Sequence, residues 1–288
     1  MNNNAKIIDG HAVSKLIYND IDIKIKMLAK KNIIPGLAVI VVGNDPASKI
    51  YVKNKIIACQ KYGIFSMKQE FSEDITENEL LNFIEKLNIN LKIHGILVQL
   101  PLPKHINSKK IIEAINPKKD VDGFSPSNIG RLVTNDPLFI PCTPYGILKI
   151  LENQNIDFKS LEIVVIGTSN IVGKPIAMLM LNKGATVTLC NSKTKNLSLH
   201  TKNADIVIVA TGKINTINGS MIKQGAIVVD VGINRNKEGK ICGDVEFTSA
   251  SQIASAITPV PGGVGPMTIA MLIYNTVRSA EIQQNLNN

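Results

Sequence analysis

The sequence predicts an α/β protein of two domains, the second a Rossmann-type doubly wound parallel sheet. Three observations lead there. Short unbroken apolar runs recur along the chain, as strands buried on both faces of a parallel sheet require. Segments with apolar residues at helical spacing alternate with them. A glycine-bearing loop, Gly167-Thr-Ser169-Asn-Ile-Val-Gly173-Lys-Pro175, joins one such run to one such helix.

The 288 residues suffice for two domains. With 44% hydrophobic and 19% charged residues, the composition is that of a soluble globular protein with a sizeable core. No apolar run approaches a membrane span, and Met1-Asn-Asn-Asn-Ala-Lys lacks the hydrophobic region of a signal peptide. Cys59, Cys142, Cys190 and Cys242 are scattered without metal spacing, so reduced thiols in a cytoplasm are expected. The net charge of +9 raises the question of nucleic acid, but the lysines are spread among Asn and Ile with few aromatics to stack bases. A solvated lysine-rich surface is the expectation, with no nucleic acid and no membrane as partner.

The elements follow in order. Ile7-Ile-Asp-Gly10 leads into a helix from about 11 to 31, with Leu16, Ile17, Ile21, Ile25 and Leu28 on one face. Pro35-Gly36 breaks it, and Leu37–Val42 is a buried strand closed by Gly43. Asp45-Pro46 opens the next helix, because proline suits a first turn and an acid suits the N-terminus. Gly63 ends that helix as a left-handed cap. A strand over 64–71, a helix over 77–88 and a strand over 95–99 complete the first α/β half. The stretch 117–144, dense in glycine and proline, reads as a loop-rich inter-domain region. A helix starting near Thr143 leads to the second half.

There, Ile163–Ile166 is a buried strand, Gly167 ends it, and a helix starts near Pro175. A strand that turns on glycine into a helix N-terminus is an anion site, since free N–H groups and the helix dipole point at the loop. Serine stands at the second glycine position of the common dinucleotide fingerprint, with one extra residue. The next strand, 185–190, ends in Asn191-Ser192-Lys193-Thr194 rather than in the acid that holds ribose hydroxyls in NAD sites. That favours NADP, although Lys193 could equally sit in a plain polar turn. Strands at 205–210 and 226–231 end on Gly212 and Gly232, and a helix from Met267 to about Ser279 closes the chain.

Tyr51 and Lys55 are four apart and share a helix face. Gln99 sits at the carboxyl end of a strand, where open α/β sheets bind ligands. Asp120 and Asp122 lie in a glycine-bearing loop where packing does not require paired carboxylates; a turn or cap role for Asp122 is the plain alternative. No cluster has metal spacing, so no metal is expected, and no serine-type triad is visible.

With these residues the chain resembles the bifunctional methylenetetrahydrofolate dehydrogenase/cyclohydrolase family, nearly end to end. The matching blocks are VGNDPASKIYVKNK (42–55), GILVQLPLP (95–103), PKKDVDGF (117–124), PCTP (141–144), GTSNIVGKP (167–175), DVGIN (230–234), GDVEF (243–247) and TPVPGGVGPMT (258–268). The resemblance implies a folate-binding catalytic domain of residues 1–120 and 263–288, an NADP-binding domain of residues 121–262, and an active site in the cleft between them. It implies Lys55 as the catalytic lysine, Gln99 assisting it, Asp122 binding the pterin and Tyr51 stacking on the folate ring system. Pro261 and Gly262 would line the same cleft. Gly167, Thr168, Ser169, Gly173, Ser192 and Ile233 would contact NADP. Many relatives carry arginine where this chain has Thr168, and that arginine helps hold the 2′-phosphate. A homodimer is also implied.

The expected chemistry oxidises 5,10-methylenetetrahydrofolate to the methenyl form and hydrolyses that to 10-formyltetrahydrofolate, within one-carbon metabolism. The first step moves a hydride and needs mainly positioning. The second needs acid–base help, for which Lys55 is the candidate. A dehydrogenase without hydrolysis, or a nucleotide-binding regulator without turnover, are the rival readings, and the intact Lys55, Gln99 and Asp122 speak against both.

Overall fold

The computed structural model describes residues 5–285. The chain runs β1 (Lys6–Ile7), α1 (Gly10–Ala29), β2 (Gly36–Val42), α2 (Pro46–Lys61), β3 (Phe65–Phe71), α3 (Glu77–Ile89) and β4 (Gly95–Val98). It continues through α4 (Ser108–Glu113), α5 (Pro126–Val133), α6 (Cys142–Glu152), β5 (Glu162–Ile166), α7 (Gly173–Asn182), β6 (Thr186–Cys190) and α8 (Leu197–Thr201). The last elements are β7 (Ile206–Val209), β8 (Ile227–Asp230), β9 (Asn234–Arg235), β10 (Ile241–Cys242), α9 (Phe247–Ile253), β11 (Ala256–Ile257) and α10 (Val264–Asn285). The fold class is the expected one, α/β throughout.

The described residues form two compact units, one of residues 16–142 and 269–285, the other of residues 5–15 and 143–268. These limits differ from the sequence-based boundaries at 120/121 and 262/263. In the first unit Asn275 of α10 donates to the carbonyl oxygens of Val121 and Ile140 at 2.8 and 3.0 Å, so 121–142 belongs with what precedes it. In the second, β1 pairs with β11, Lys6 opposite Ala256, which brings the start of the chain into the larger sheet.

The first unit is built on a three-stranded parallel sheet of order β3-β2-β4. All seven residues of β2 are buried, as the apolar run Gly36–Val42 demands. Leu80, Ile84 and Leu87 of α3 and Ile111 of α4 pack with Ala38, Ile40, Ile96 and Val98 of the strands into one core. Thr76 and Glu79 start α3 as a reciprocal capping box, each side chain accepting the other's backbone N–H at 3.2 and 3.0 Å. The buried Lys119 ends it by donating to the carbonyl oxygens of Leu87 and Asn90 at 3.1 and 2.8 Å, a cation on the negative end of a helix.

His94 precedes β4, and its Nδ1 accepts the Gly36 N–H at 3.0 Å, so the ring is neutral in the fold. Burial first, and the Lys119 charge second, hold its pKa below the ordinary 6.5. A depressed folded pKa gives stability that is present above the unfolded value and lost as pH falls towards the folded one. The denaturation midpoint is therefore expected to drop from pH about 7.5 to about 5.5, and to drop less in His94→Gln. Equal drops in the two proteins would show that His94 does not carry the effect.

The second unit holds a six-stranded, wholly parallel sheet of order β1-β11-β8-β7-β5-β6. Its core gathers Val164, Ile166, Val207, Val209, Val228 and Ile257 from the strands. After β5 the chain places β6 on one side and β7 on the other. The order reverses there, so the carboxyl ends of β5 and β7 form the ligand edge of a doubly wound sheet.

The stretch 117–144, expected to be loop-rich, holds a helix as well. It contains α5, which the Ser125 hydroxyl caps by accepting the Asn128 N–H at 3.3 Å with Pro126 in the first turn. The short helices α4, α8 and α9 also escape pattern reading, because one or two turns show no periodicity. Among the described residues, no helix is long and apolar enough to cross a membrane.

Candidate active site

Three parallel segments of the first unit carry the expected residues at or beyond their carboxyl ends. After β2, the Asp45 carboxylate accepts the Ser48 N–H at 2.7 Å and starts α2, with Pro46 in the first turn. Tyr51 and Lys55 follow one turn apart on α2, both half-buried. After β4, the Gln99 N–H extends the ladder by donating to the Ile40 carbonyl oxygen at 2.9 Å. Gln99 Nε2 donates to the Leu100 carbonyl oxygen at 2.8 Å, which turns Oε1 towards the lysine. Lys55 Nζ donates to that Oε1 at 3.1 Å. The third segment, at Asp120, bridges to Ile96 in parallel and carries Asp122 just beyond.

The two carboxylates of this loop have different work. Asp120 is buried, and its Oδ1 accepts the N–H groups of Gly123 and Phe124 at 3.1 and 3.3 Å. Its Oδ2 accepts from Ser125 N and Asn128 Nδ2, both at 2.8 Å. Asp120 is thus the loop's internal scaffold, which corrects the expectation that neither carboxylate serves packing. Gly123 sits at φ +73°, and a Cβ there would lie 2.9 Å from the Pro141 nitrogen, so the turn requires glycine.

Asp122 is left half-buried with its carboxyl pKa raised by burial; the nearby Lys55 charge and the Cys142 thiol oppose the shift, and Asp120 adds to it. Lys55, Gln99 and Asp122 therefore share one site. Cys142 is buried, faces the Val121 carbonyl oxygen at 3.3 Å and has its thiol pKa raised by burial and by the Asp122 carboxylate. It is an inert packing group. Asn275, which fixes the loop from α10, is a contributor that pattern reading passed over. Its only signal is an amide inside the apolar run Met271-Leu-Ile-Tyr-Asn-Thr-Val277.

The other expected residues lie on the second unit. The Gly262 carbonyl oxygen accepts the Gly10 N–H at 2.9 Å, Gly262 has φ +105°, and Pro261 beside it is exposed. Gly167 leaves β5 at φ +119°, with its Cβ position 2.1 Å from the Ala210 carbonyl oxygen. A Cβ on Gly173 would lie 1.8 Å from the Gly167 carbonyl oxygen. Gly167 is therefore needed for the close approach to Ala210 beyond β7, and Gly173 for closing the loop on itself. The Ser169 hydroxyl accepts the N–H groups of Val172 and Gly173 at 3.2 and 3.3 Å, so it ties the loop to the start of α7.

Thr168 is half-buried beside it. At the end of β6, Asn191 Oδ1 accepts the Lys193 N–H and Thr194 Oγ1 accepts the Asn191 N–H, each at 2.9 Å. Ser192 and Lys193 are exposed on this self-contained turn, and Ile233 is 50% exposed after β8. A backbone cradle that a Cβ would fill, at the switch point and at a helix N-terminus, fits the phosphates of a dinucleotide. The described residues hold no group of three or more His, Cys, Asp or Glu placed to bind a metal.

A doubly wound sheet with a dinucleotide-type loop in one unit, and a lysine held by a glutamine near a half-buried aspartate in the other, are the features of a nucleotide-dependent enzyme. The sequence matches two family models, described as the tetrahydrofolate dehydrogenase/cyclohydrolase catalytic domain over residues 8–122 and its NAD(P)-binding domain over residues 141–284. The chain belongs to the tetrahydrofolate dehydrogenase/cyclohydrolase family. It is 58% identical over 277 residues to the bifunctional protein FolD of Bordetella petrii, covering 96% of this chain and 94% of that one.

Among solved structures, the bifunctional FolD methylenetetrahydrofolate dehydrogenase/cyclohydrolase of Campylobacter jejuni superposes with a TM-score of 0.95 at 52% identity, covering 97% and 99% of the two chains. The Trypanosoma brucei enzyme, described as complexed with NADP cofactor and an inhibitor, gives 0.94 at 34% identity over 98% and 99%.

Proposed function

We propose that this chain oxidises 5,10-methylenetetrahydrofolate with NADP and hydrolyses the resulting 5,10-methenyl compound to 10-formyltetrahydrofolate, as a bifunctional enzyme of one-carbon metabolism. The observation that carries the reading is the Lys55–Gln99 bond beside Asp122, at the carboxyl ends of adjacent parallel strands. Bound NADP would supply the hydride acceptor for the methylene bridge. Gly167, Thr168, Ser169 and Gly173 would hold its phosphates, Ser192 its 2′-phosphate, and Ile233 would lie against it. Tyr51 would stack on the folate rings, and Pro261 and Gly262 would contact the same substrate.

Lys55 is the group that moves protons in hydrolysis. The Gln99 carbonyl oxygen takes one of its three N–H donors and so fixes the direction of the others. Water attacking the methenyl carbon loses a proton, and the leaving ring nitrogen needs one. A lysine in this position can carry out both transfers. Asp122 can accept from the pterin amino and ring N–H groups. A homodimer in the cytoplasm belongs to the same reading; the buried free thiols of Cys59, Cys142 and Cys190 suit a reducing compartment, and sedimentation would test the dimer.

Loss of Asp122 is expected to weaken folate much more than nucleotide. A charge-assisted bond of this kind is worth about 1.5–3 kcal/mol, so Asp122→Ala should raise the folate KM by about 10–100-fold. A KM that barely moved would return Asp122 to a turn role. The whole reading is tested by incubating the protein with methylenetetrahydrofolate and NADP: NADPH formation supports it, and its absence with folded protein contradicts it.

A further inference from the structure

Two buried carboxylates of the second unit take no part in the chemistry above. Asp230 ends β8 and is 4% exposed; Asp244 follows β10 and is fully buried. Neither is in an ion pair found among the described residues. Burying an unpaired carboxylate is expensive, and well-packed neutral groups would generally stabilise more.

Hydrogen-bond donors compensate the cost. Asp230 Oδ1 accepts the N–H groups of Gly232 and Asp244, and its Oδ2 that of Val245, all at 2.9 Å. Asp244 Oδ2 accepts from Thr211 N at 2.6 Å and from Gly212 N and Thr211 Oγ1 at 2.9 Å, while its Oδ1 accepts from Asn234 Nδ2 at 2.8 Å. The flanking glycines make room for them. A Cβ on Gly232 would lie 2.1 Å from Asp244 Oδ1, and one on Gly243 would lie 1.9 Å from Asp230 Oδ2. The segments 230–234 and 243–245 are therefore two halves of one device.

Its position gives it a purpose. The turns it fixes, 211–212 and 232–234, leave the carboxyl ends of β7 and β8, the same edge of the sheet as the Gly167 loop. Between two residues held by carboxylates, Gly232 and Asn234, stands Ile233, an apolar side chain left 50% exposed. We propose that Asp230 and Asp244 are positioning residues for the nucleotide: they preform the 211–212 and 232–234 turns as one wall of its site and hold Ile233 out as an apolar contact for the dinucleotide. The inference rests on the NADP reading above. A wall ordered before binding removes the cost of ordering it on binding. Burial pushes the Asp230 carboxyl up to about 6, as expected of a charge retained at some cost to stability.

The test uses the full chain and the variant Asp244→Asn, which turns one acceptor into a donor facing donors. NADP affinity and KM are measured by titration, methenyl hydrolysis is followed without nucleotide in the same preparation, and thermal melting checks folding. The expected result is an NADP Kd and KM raised about tenfold or more, with hydrolysis changed less than about twofold. The exchanged pair Asn234→Asp with Asp244→Asn restores a donor facing an acceptor and should recover part of the lost affinity. Should Asp244→Asn fail to fold, Asn234→Ala removes only the amide's bonds to Asp244 Oδ1 and to the Gly243 carbonyl oxygen, and its NADP KM should rise several-fold. Unchanged NADP affinity in a folded variant, or parallel loss of both activities, would overturn the inference alone. Wild-type protein that bound no NADP would overturn the NADP reading, and this inference with it.

Discussion

Lys55→Met is expected to lower methenyl hydrolysis by about 10²–10⁴-fold, the usual contribution of a positioned acid–base group. Methionine keeps an unbranched apolar stem and removes the ammonium. The Gln99 carbonyl oxygen loses the donor it meets at 3.1 Å, but Gln99 remains tied through its own Nε2 to the Leu100 carbonyl oxygen. The strand end should therefore keep its shape. NADP affinity should stay near the wild-type value, because the glycine loop of 167–173 belongs to the other compact unit. Hydrolysis and nucleotide titrations on one preparation separate the outcomes. Equal loss of cofactor affinity would mean that Lys55 is structural.

Ser192→Asp is expected to reverse the preference for NADP over NAD. The turn after β6 is closed by Asn191 and Thr194, and Ser192 stands exposed on it, so an acid can be placed there without refolding the turn. It would repel a 2′-phosphate and offer the two ribose hydroxyls an acceptor. The opposite change is Thr168→Arg. A guanidinium beside the loop should tighten NADP by about 1–2 kcal/mol through a charge-assisted bond partly screened by solvent, and leave NAD nearly unchanged. Wild-type protein that used NAD at least as well as NADP would refute this view of the strand end. The proposed role of Lys55, Gln99 and Asp122 would be untouched by that result, since they belong to the other compact unit.

Local pattern made some of this legible and concealed the rest. Strands β2, β5, β7 and β8 are apolar runs closed by polar or glycine residues, and each is found within two residues of its expected span. The Gly167–Gly173 loop was readable because glycine is needed there for backbone contact, whatever the ligand. Lys55, Gln99 and Asp122 could be nominated one by one, and the family blocks linked them. Their proximity is a tertiary fact, set by the β3-β2-β4 strand order, which no spacing reveals.

Short strands such as β1 and β11 carry two residues each and have no period to detect. The division of labour between Asp120 and Asp122 was hidden for a related reason. Two aspartates two apart look alike in sequence, and only the four N–H donors converging on Asp120 mark it as the scaffold. Asp230 and Asp244 are likewise distant in sequence and meet only through the fold, where one accepts the other's backbone N–H.

The measurement that tests the central claim most directly follows two products in one reaction. Purified protein is given methylenetetrahydrofolate and NADP, and NADPH and 10-formyltetrahydrofolate are quantified over time. A single chain carrying both activities should yield the two in equal amounts at completion, with the methenyl compound passing through as an intermediate. NADPH accompanied by methenyl compound that hydrolyses no faster than without protein would contradict the assignment of Lys55, Gln99 and Asp122 as a hydrolytic site.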